Sequence, residues 1–278
     1  MEPFITHCNP PRHEPFYYDA KKRAKLFHGD SCDILKYMPD SCIDMIFADP
    51  PYFGNQSGLK INRKDGHTAF FDTGKAKWAL SKSLEFQFDF HYAWLTEAKR
   101  LLKEGATIWI TGTYHSIGVI NVVLQDLKFK ILNEIVLYKK NAPPNFKGSC
   151  FRAVTESMIW AKKSEKGRTK FNYKLMKAIN GGTQMKNLWE YRAEKNPFRH
   201  PATKQPIILE YVILASTNVN DVILDPFAGS GTTGFVANGL RRKCIMIEME
   251  SEYCSLIKSR MEGKYGEFQR KTKAEGPV

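Results

Sequence analysis

Residues 46–54 read IFADPPYFG and place one acidic side chain on a rigid turn directly after an apolar run. Pro50 and Pro51 cannot continue a β ladder or a helix, so the apolar run stops at Asp49. Tyr52 follows at once, and the four residues are candidates for a catalytic site. A hydrogen-bond acceptor and an aromatic ring on one stiff loop are suited to bind a flat group that carries an amine.

A second candidate site is the segment 225–234, DPFAGSGTTG, which lies between a predicted strand and a predicted helix. Gly229, Gly231 and Gly234 fit the spacing G-x-G-x-x-G, which lets the backbone approach a ligand closely. The start of the following helix offers N–H groups that have no partner inside the helix. Glu248 ends the next predicted strand, where a carboxylate can accept hydrogen bonds from ribose hydroxyls.

Several kinds of ligand are compatible with a glycine loop. A P-loop is disfavoured, because neither Lys-Ser nor Lys-Thr follows the glycines. A nicotinamide or flavin site stays open, although Asp225 at the end of the strand would repel a pyrophosphate. The same carboxylate suits an ammonium or a sulfonium group, which favours S-adenosylmethionine. A turn that serves packing alone is the remaining alternative.

The order of predicted elements brings these motifs together. Helices are predicted at 31–39, 88–103, 115–126, 206–217, 232–240 and 251–262, and strands at 25–30, 42–49, 105–112, 129–138, 158–161, 221–225 and 243–248. The alternation predicts an α/β fold with a doubly wound, mostly parallel sheet. Because ligands in such sheets bind at the carboxyl ends of the strands, we expect Asp30, Asp49, Asp225 and Glu248 to line one rim.

The composition points to a polyanionic partner. Lys and Arg number 42 against 29 Asp and Glu, which gives a formal net charge of +13. A globular chain this basic usually binds nucleic acid. The 6 cysteines form no C-x-x-C pair, so no metal site is indicated. We find no secretory leader and no apolar run of about 20 residues, so we expect a cytoplasmic protein without a membrane partner.

The two motifs together resemble the amino-methyltransferases that act on DNA. ADPPY precedes DPFAGSGTT, as in the permuted β group of that family. HPATKQP at 200–206 resembles the family's His-Pro-x-x-Lys-Pro segment, with Gln205 as an extra residue that leaves the contact of Lys204 undefined. GDS at 29–31 resembles the segment before the catalytic strand. The matches span most of residues 25–262.

The resemblance implies a role for each motif. Asp49 and the carbonyl of Pro50 would accept the two N–H groups of an exocyclic amine, and Tyr52 would stack on a base flipped out of the helix. The cofactor would be S-adenosylmethionine, whose sulfonium already activates the methyl group, so no metal is required. Its ribose would contact Glu248 and its adenine amine Asp30. The remaining implied cofactor-binding residues are Lys204, Asp225, Phe227, Gly229, Gly231 and Thr232.

The sequence also narrows the choice of base. Methylation of carbon 5 of cytosine uses a Pro-Cys nucleophile, and the chain contains no Pro-Cys pair. Aspartate at position 49 favours adenine N6, whereas N4-cytosine enzymes more often carry serine there. We therefore expect a sequence-specific DNA adenine-N6 methyltransferase of a restriction–modification system. The alternatives are an N4-cytosine enzyme, an RNA or protein amine methyltransferase, and a nucleic-acid-binding protein with a vestigial site.

The predicted organisation has five parts. They are an N-terminal extension (1–24), a catalytic half (25–138), a target-recognition region (139–199), a cofactor-binding half (200–262) and a polar tail (263–278). The recognition region is basic and aromatic, and its predicted DNA-binding residues are Lys139, Lys140, Lys147 and Arg152. The aperiodic segment 54–86, with Arg63, Lys64 and His67, is expected either to close over the flipped base or to be disordered. A homodimer and a cognate restriction endonuclease are open as partners.

Overall fold

A nine-stranded sheet forms the centre of the fold. The computed structural model describes residues 8, 10, 13–21, 23–52, 59–62, 68–71, 83–146, 148–194 and 204–263. The strands of the sheet are β1 (Tyr17–Asp19), β2 (Ala24–His28), β3 (Ile43–Ala48), β6 (Leu102–Gly112), β7 (Lys130–Lys139), β8 (Thr155–Lys162), β9 (Leu188–Tyr191), β10 (Val222–Asp225) and β11 (Lys243–Glu248). Two further strands, β4 (Leu59–Asn62) and β5 (Thr68–Phe71), pair with each other in an antiparallel arrangement.

The strand order across the sheet is β1-β2-β11-β10-β3-β6-β8-β7-β9. Five neighbouring strands in this order are mutually parallel: β2, β11, β10, β3 and β6. β8 runs antiparallel to both of its neighbours, β6 and β7, and β1 is antiparallel to β2. The predicted α/β fold with a doubly wound, mostly parallel sheet is confirmed.

Seven helices of the described chain cover the two faces of the sheet. They are α1 (Ser31–Lys36), α2 (Leu84–Leu101), α3 (Ile117–Asp126), α4 (Tyr173–Ile179), α5 (Pro206–Ser216), α6 (Thr232–Gly239) and α7 (Ser251–Met261). Helices α1 to α3 pack on one face in one apolar cluster, and α4 to α7 pack on the other face in a second cluster.

The central strand β3 shows why the motif residues sit where they do. All six of its residues are buried, since helices cover both faces. Ile46 and Ala48 pack with α1 to α3, whereas Met45 and Phe47 pack with the opposite layer. Pro50 and Pro51 prevent the strand from continuing, so Asp49 lies at the rim formed by the carboxyl ends of the parallel strands.

The part of the sheet formed by β8, β7 and β9 differs from the prediction made from the sequence. β8 extends from Thr155 to Lys162, beyond the predicted 158–161, and it lies between β6 and β7. The short strand β9 and the helix α4 had no counterpart among the predicted elements. The segment 139–199, expected to be a recognition region, therefore supplies two strands of the central sheet as well as loops.

Some predictions fall outside the described residues. They concern Lys147, Arg63, Lys64, His67, most of segment 54–86, residues 200–203 of the His-Pro segment and residues 264–278 of the tail. Within the described part of the chain, no helix has the length and apolarity that crossing a bilayer demands.

Candidate active site

A cleft opens where the carboxyl ends of the parallel strands meet. It is lined by all four candidate acids, Asp30, Asp49, Asp225 and Glu248. The cleft is open on one side and contains about 980 Å³ of empty space, its open mouth included. The other predicted residues that line it are Pro50, Pro51, Tyr52, Lys204, Phe227, Gly229 and Thr232.

Asp225 is buried at the end of β10, at the floor of the cleft. Its Oδ1 accepts a hydrogen bond of 3.0 Å from the backbone N–H of Phe227, and the Thr233 side chain also contacts the carboxyl. Burial raises the pKa of Asp225 to about 7, against the opposing effect of these hydrogen bonds. The group is therefore costly to ionise unless a cation lies beside it.

Glu248 ends β11, and the backbone fixes both of its carboxylate oxygens. Oε2 accepts from the N–H of Gly229 at 2.7 Å, and Oε1 accepts from the N–H of Glu250 at 2.9 Å. Burial raises the pKa of Glu248 even though these N–H groups oppose the shift. The backbone N–H of Met249 also interacts with the carboxylate, and the two oxygens together keep acceptor capacity for a hydroxyl donor.

The glycine loop is shaped by left-handed backbone and close packing. Gly231 has φ +72° and precedes α6, and a Cβ there would lie 2.9 Å from Ile257. Gly231 is not itself among the residues that line the cleft. Behind the loop, the buried guanidinium of Arg260 donates to the carbonyl of Ser230 at 2.9 Å and to Oγ1 of Thr232 at 3.0 Å. These contacts hold the loop from its inner side.

Asp30 serves first as a helix cap. Its carboxylate accepts from the N–H of Cys32 at 2.7 Å and so begins α1. The next residue, Ser31, donates its hydroxyl to the carbonyl of Pro226, which ties the start of α1 to the glycine loop. Sequence reasoning did not single out Ser31, although it belongs to the GDS segment.

On the other side of the cleft, Oδ1 of Asp49 collects three contacts. The hydroxyl of Tyr52 donates to it, Oγ1 of Thr111 donates to it at 2.5 Å, and Nζ of Lys204 lies 3.3 Å away. Within the described part of the chain, no donor contacts the other oxygen, Oδ2. Thr111 is the second-last residue of β6, next to β3, so the pairing of these two strands brings it to Asp49.

Lys204 lies in the same cluster as the catalytic turn. Its Nζ donates to the hydroxyl of Tyr52 at 2.7 Å and to Oε2 of Glu156 at 2.9 Å. Burial alone would lower the pKa of Lys204, but the charges of Asp49 and Glu156, together with the hydrogen bond to Tyr52, raise it well above its ordinary value. The charge of Lys204 in turn lowers the pKa of Glu156. Burial and the charge of Asp49 raise the pKa of Tyr52, so its phenol remains a donor.

The predicted DNA-binding residues lie near the same rim but outside the cleft. Lys139 and Lys140 stand at the end of β7, and Lys140 forms an ion pair of 2.5 Å with Glu190. Arg152, in the loop between β7 and β8, donates to the carbonyl of Ala142 in that loop. Lys162, farther along the chain, is not exposed to a DNA ligand in this way, because it is buried and donates to three backbone carbonyls.

The cofactor side of the cleft fits a ligand that joins a cation to a ribose. Asp225 and Glu248 form no ion pair with any described residue, so the two buried acids have charge to offer a cationic ligand. Phe227 and Tyr253 add aromatic surface to the lining. In the described residues no group of His, Cys, Asp and Glu side chains is arranged to hold a metal ion. These features agree with the S-adenosylmethionine site that the sequence predicts.

Comparison with known proteins identifies the family. A family model described as DNA methylase, for enzymes that modify N6 or N4 amines, matches residues 43–259. The chain is 42% identical over 253 residues to the type II methyltransferase M2.LlaDCHI of Lactococcus lactis subsp. cremoris, covering 89% of this chain and 92% of that protein. It is 40% identical over 253 residues to the type II methyltransferase M2.MboI of Moraxella bovis, covering 90% and 91%. The chain therefore belongs to the N6/N4 DNA methylase family.

Solved structures agree with this assignment. The complex of M1.HpyAVI with S-adenosylmethionine is similar with a TM-score of 0.60 and 28% identity, covering 85% of this chain and 99% of that one. The PvuII DNA methyltransferase, which is cytosine-N4-specific, shares the fold with a TM-score of 0.69 at 18% identity, covering 91% and 94%. The predicted family resemblance is confirmed. The cofactor is S-adenosylmethionine and the substrate is DNA, as predicted.

Proposed function

We propose that this protein is a sequence-specific adenine-N6 methyltransferase of a restriction–modification system. The observation that carries the proposal is the cluster at Asp49, where a carboxylate and an aromatic ring face a cleft built for the cofactor. The names of the type II relatives support the restriction–modification setting. A homodimer, a cognate endonuclease and a cytoplasmic location stay predictions.

The residues of the turn divide the work of binding the target amine. Oδ1 of Asp49 is held by Thr111, Tyr52 and Lys204, so the carboxylate has a fixed orientation. Asp49 and the carbonyl of Pro50 would each accept one N–H of the amine. This arrangement turns the nitrogen lone pair out of the plane of the base. Pro51 stiffens the turn, and the Tyr52 ring would cover one face of the base.

On the cofactor side, a protein carboxylate would face each charged or hydroxyl-bearing part of S-adenosylmethionine. Asp225 would receive the cationic methionine end, with Phe227, Gly229, Gly231 and Thr232 forming the loop around it. Glu248 would accept the ribose hydroxyls, and Asp30 would lie near the adenine. The cofactor supplies a methyl group on a sulfonium, a good leaving group. Asp49, which would contact the amine, can take the proton that the amine loses.

The loop 140–154 is the best candidate for contact with DNA. It joins β7 to β8 at the catalytic rim, because Gly112 at the end of β6 pairs with Ser157. The side chains of Phe151 and Phe146 are 99% and 59% exposed. Asn141 braces the loop through two hydrogen bonds of 2.8 Å with the backbone of Ala193. A braced basic loop with exposed rings can place charges on phosphates and stack rings on bases.

The test of the reaction is a transfer assay. The protein is incubated with labelled S-adenosylmethionine and mixed-sequence duplex or single-stranded DNA, and the digested nucleosides are analysed by mass spectrometry. We expect labelled N6-methyldeoxyadenosine. Labelled N4-methyldeoxycytidine would keep the amine chemistry and overturn the base assignment, and the absence of any labelled nucleoside would overturn the proposal.

The two ends of strand β7 provide a matched test of the DNA-binding face. Lys139→Gln removes a charge at the catalytic rim, and Lys130→Gln removes one at the other end, where Lys130 pairs with the exposed Glu165. DNA affinity of the wild type should fall steeply with salt. The slope of log affinity against log salt should decrease by about one for Lys139→Gln and stay unchanged for Lys130→Gln. Equal slopes for both variants would place the DNA elsewhere.

A further inference from the structure

The contacts of Lys204 differ from what a cofactor-binding role would require. Its Nζ lies 2.7 Å from the Tyr52 hydroxyl, 3.3 Å from Oδ1 of Asp49 and 2.9 Å from Oε2 of Glu156. It also lies 5.3 Å from the centre of the Tyr52 ring. Every one of these groups belongs to the substrate side of the cleft. None belongs to the glycine loop or to Glu248.

Burial makes these contacts consequential. The side chain of Lys204 is 11% exposed and that of Asp49 is 13% exposed, so water screens their interaction weakly. Removing one member of a buried charged cluster leaves the others without compensation, which changes their positions or their protonation. Glu156 is 38% exposed and forms the outer end of the cluster.

Glu156 also connects the cluster to the proposed DNA-binding loop. It is the second residue of β8 and follows loop 140–154 almost directly. Because β8 is antiparallel to β6, its beginning rather than its end lies at the catalytic rim. A change in the position of the loop therefore acts on Glu156 through very few backbone bonds.

We propose that Lys204 is a positioning residue for the catalytic turn, and that Glu156 holds Lys204 in place. Lys204 fixes Oδ1 of Asp49 and the hydroxyl of Tyr52, which leaves Oδ2 to receive the target amine. Glu156 couples this arrangement to loop 140–154. The inference rests on the proposed amine methyltransferase function.

Kinetics of single variants test the role of Lys204. Lys204→Met should lower kcat roughly 10²-fold, the loss typical of a reacting group displaced by about 1 Å, while the Kd for S-adenosylmethionine from calorimetry stays within about threefold. Lys204→Arg, which keeps the charge, should recover part of kcat. A normal kcat in Lys204→Met, or a large rise in Kd with kcat retained at saturating cofactor, would overturn the proposal and favour cofactor binding.

A double-variant cycle tests whether Glu156 acts through Lys204. Glu156→Gln should lower kcat roughly tenfold in the wild-type background and have no further effect in Lys204→Met, because its partner is already lost. The matched control is the exposed pair Lys130 and Glu165, whose substitutions Lys130→Met and Glu165→Gln should leave kcat unchanged. Multiplicative losses for Glu156→Gln and Lys204→Met would show that the two residues act independently.

A stability measurement separates failure of this inference from failure of the proposed function. If the wild type methylates no DNA, the proposed function fails, but the cluster is still testable by urea unfolding of Tyr52→Phe, Lys204→Met and the double variant. The double variant should unfold at nearly the midpoint of the less stable single variant. Additive shifts of the midpoint would overturn the positioning contact.

Discussion

The two sides of the cleft hold their carboxylates by different means. On the cofactor side, backbone N–H groups fix Asp225 and Glu248, and burial raises the pKa of both. On the substrate side, the side chains of Thr111, Tyr52 and Lys204 fix Asp49. Among the described residues, no cationic side chain forms an ion pair with the two acids of the cofactor side, whereas Lys204 pairs with Asp49 on the substrate side.

This contrast agrees with the ligand that each side is proposed to bind. A cationic ligand supplies the charge that neutralises buried acids, so a protein cation there would compete with it. A neutral amine supplies no charge, so the carboxylate that would receive it depends on protein side chains to hold its orientation. Experiments that exchange these features should affect one side and spare the other.

The largest expected effect is loss of methyl transfer on replacing Asp49. Asp49→Ala removes the acceptor for the target amine and should lower kcat by roughly 10³-fold. Cofactor affinity, measured by calorimetry, should stay within a few-fold, because the change leaves the glycine loop intact. Asp33→Ala removes an exposed acid of α1 and serves as the control. Normal turnover by Asp49→Ala would refute its assigned role.

A substitution in the glycine loop should have the opposite pattern. Gly231→Asp introduces a Cβ against Ile257 at φ +72° and a carboxylate into the loop, so cofactor binding should fall below detection in a calorimetric titration. Gly181→Asp is the matched control, because Gly181 has φ +65° and an added Cβ would meet open space. A circular dichroism melt confirms that the variant is folded. Retained affinity in folded Gly231→Asp would contradict the assignment.

Asp225→Asn should weaken cofactor binding and stabilise the protein in the absence of cofactor. Loss of the charge opposite the cationic methionine end should reduce affinity roughly 10²-fold. Burial raises the pKa of Asp225 to about 7, above its value in the unfolded chain. Between about pH 4 and pH 7 the unfolded chain has released this proton while the folded protein retains it, so this group lowers stability as pH rises through that window.

Melting curves without cofactor check the sign of this effect. The Tm of Asp225→Asn should exceed that of the wild type by at least about 2–4 °C at pH 8, which corresponds to roughly 1 kcal/mol in a domain of this size. The difference should shrink at pH 5, where Asp225 is protonated in the folded protein. A difference that grows toward acidic pH would show that Asp225 is not a buried acid of raised pKa.

Thr111→Val is the smallest of the four changes. It removes one hydrogen bond of 2.5 Å to Oδ1 of Asp49 and should lower kcat roughly tenfold without altering cofactor affinity. Thr107→Val lies on the same strand, where the buried hydroxyl of Thr107 has no hydrogen-bond partner among the described residues. That control should be neutral or slightly stabilising. Equal kcat for both variants would remove Thr111 from the catalytic cluster.

The rim of acids was predictable because each acid follows or adjoins a recognisable strand. Asp49, Asp225 and Glu248 each end or directly follow an apolar run, and parallel strands bring such ends together. The prolines and glycines around them also restrict the local backbone in ways that depend on few neighbours. The position of these acids could therefore be predicted from short stretches of sequence.

The charged cluster was not predictable by the same reasoning. Thr111 lies near the end of the predicted strand 105–112, but only the pairing of β6 with β3 shows which residue it contacts. Glu156 lies at the same rim and contacts Lys204 because β8 is antiparallel to β6, and no local pattern in its sequence specifies that direction. Lys204 was assigned to the cofactor by resemblance, whereas its contacts come from long-range packing.

The hairpin formed by β7 and β8 has a consequence for how such a protein can acquire a new target sequence. Tyr138 and Thr155 are paired neighbours, so the two ends of loop 140–154 are held together by the sheet itself. Lengthening a loop between fixed ends costs only about 0.6 kcal/mol for each doubling of its length. If the loop contacts DNA as proposed, its length and composition can therefore change at small cost in stability, and Glu156, at the start of β8, is where such a change would reach Lys204.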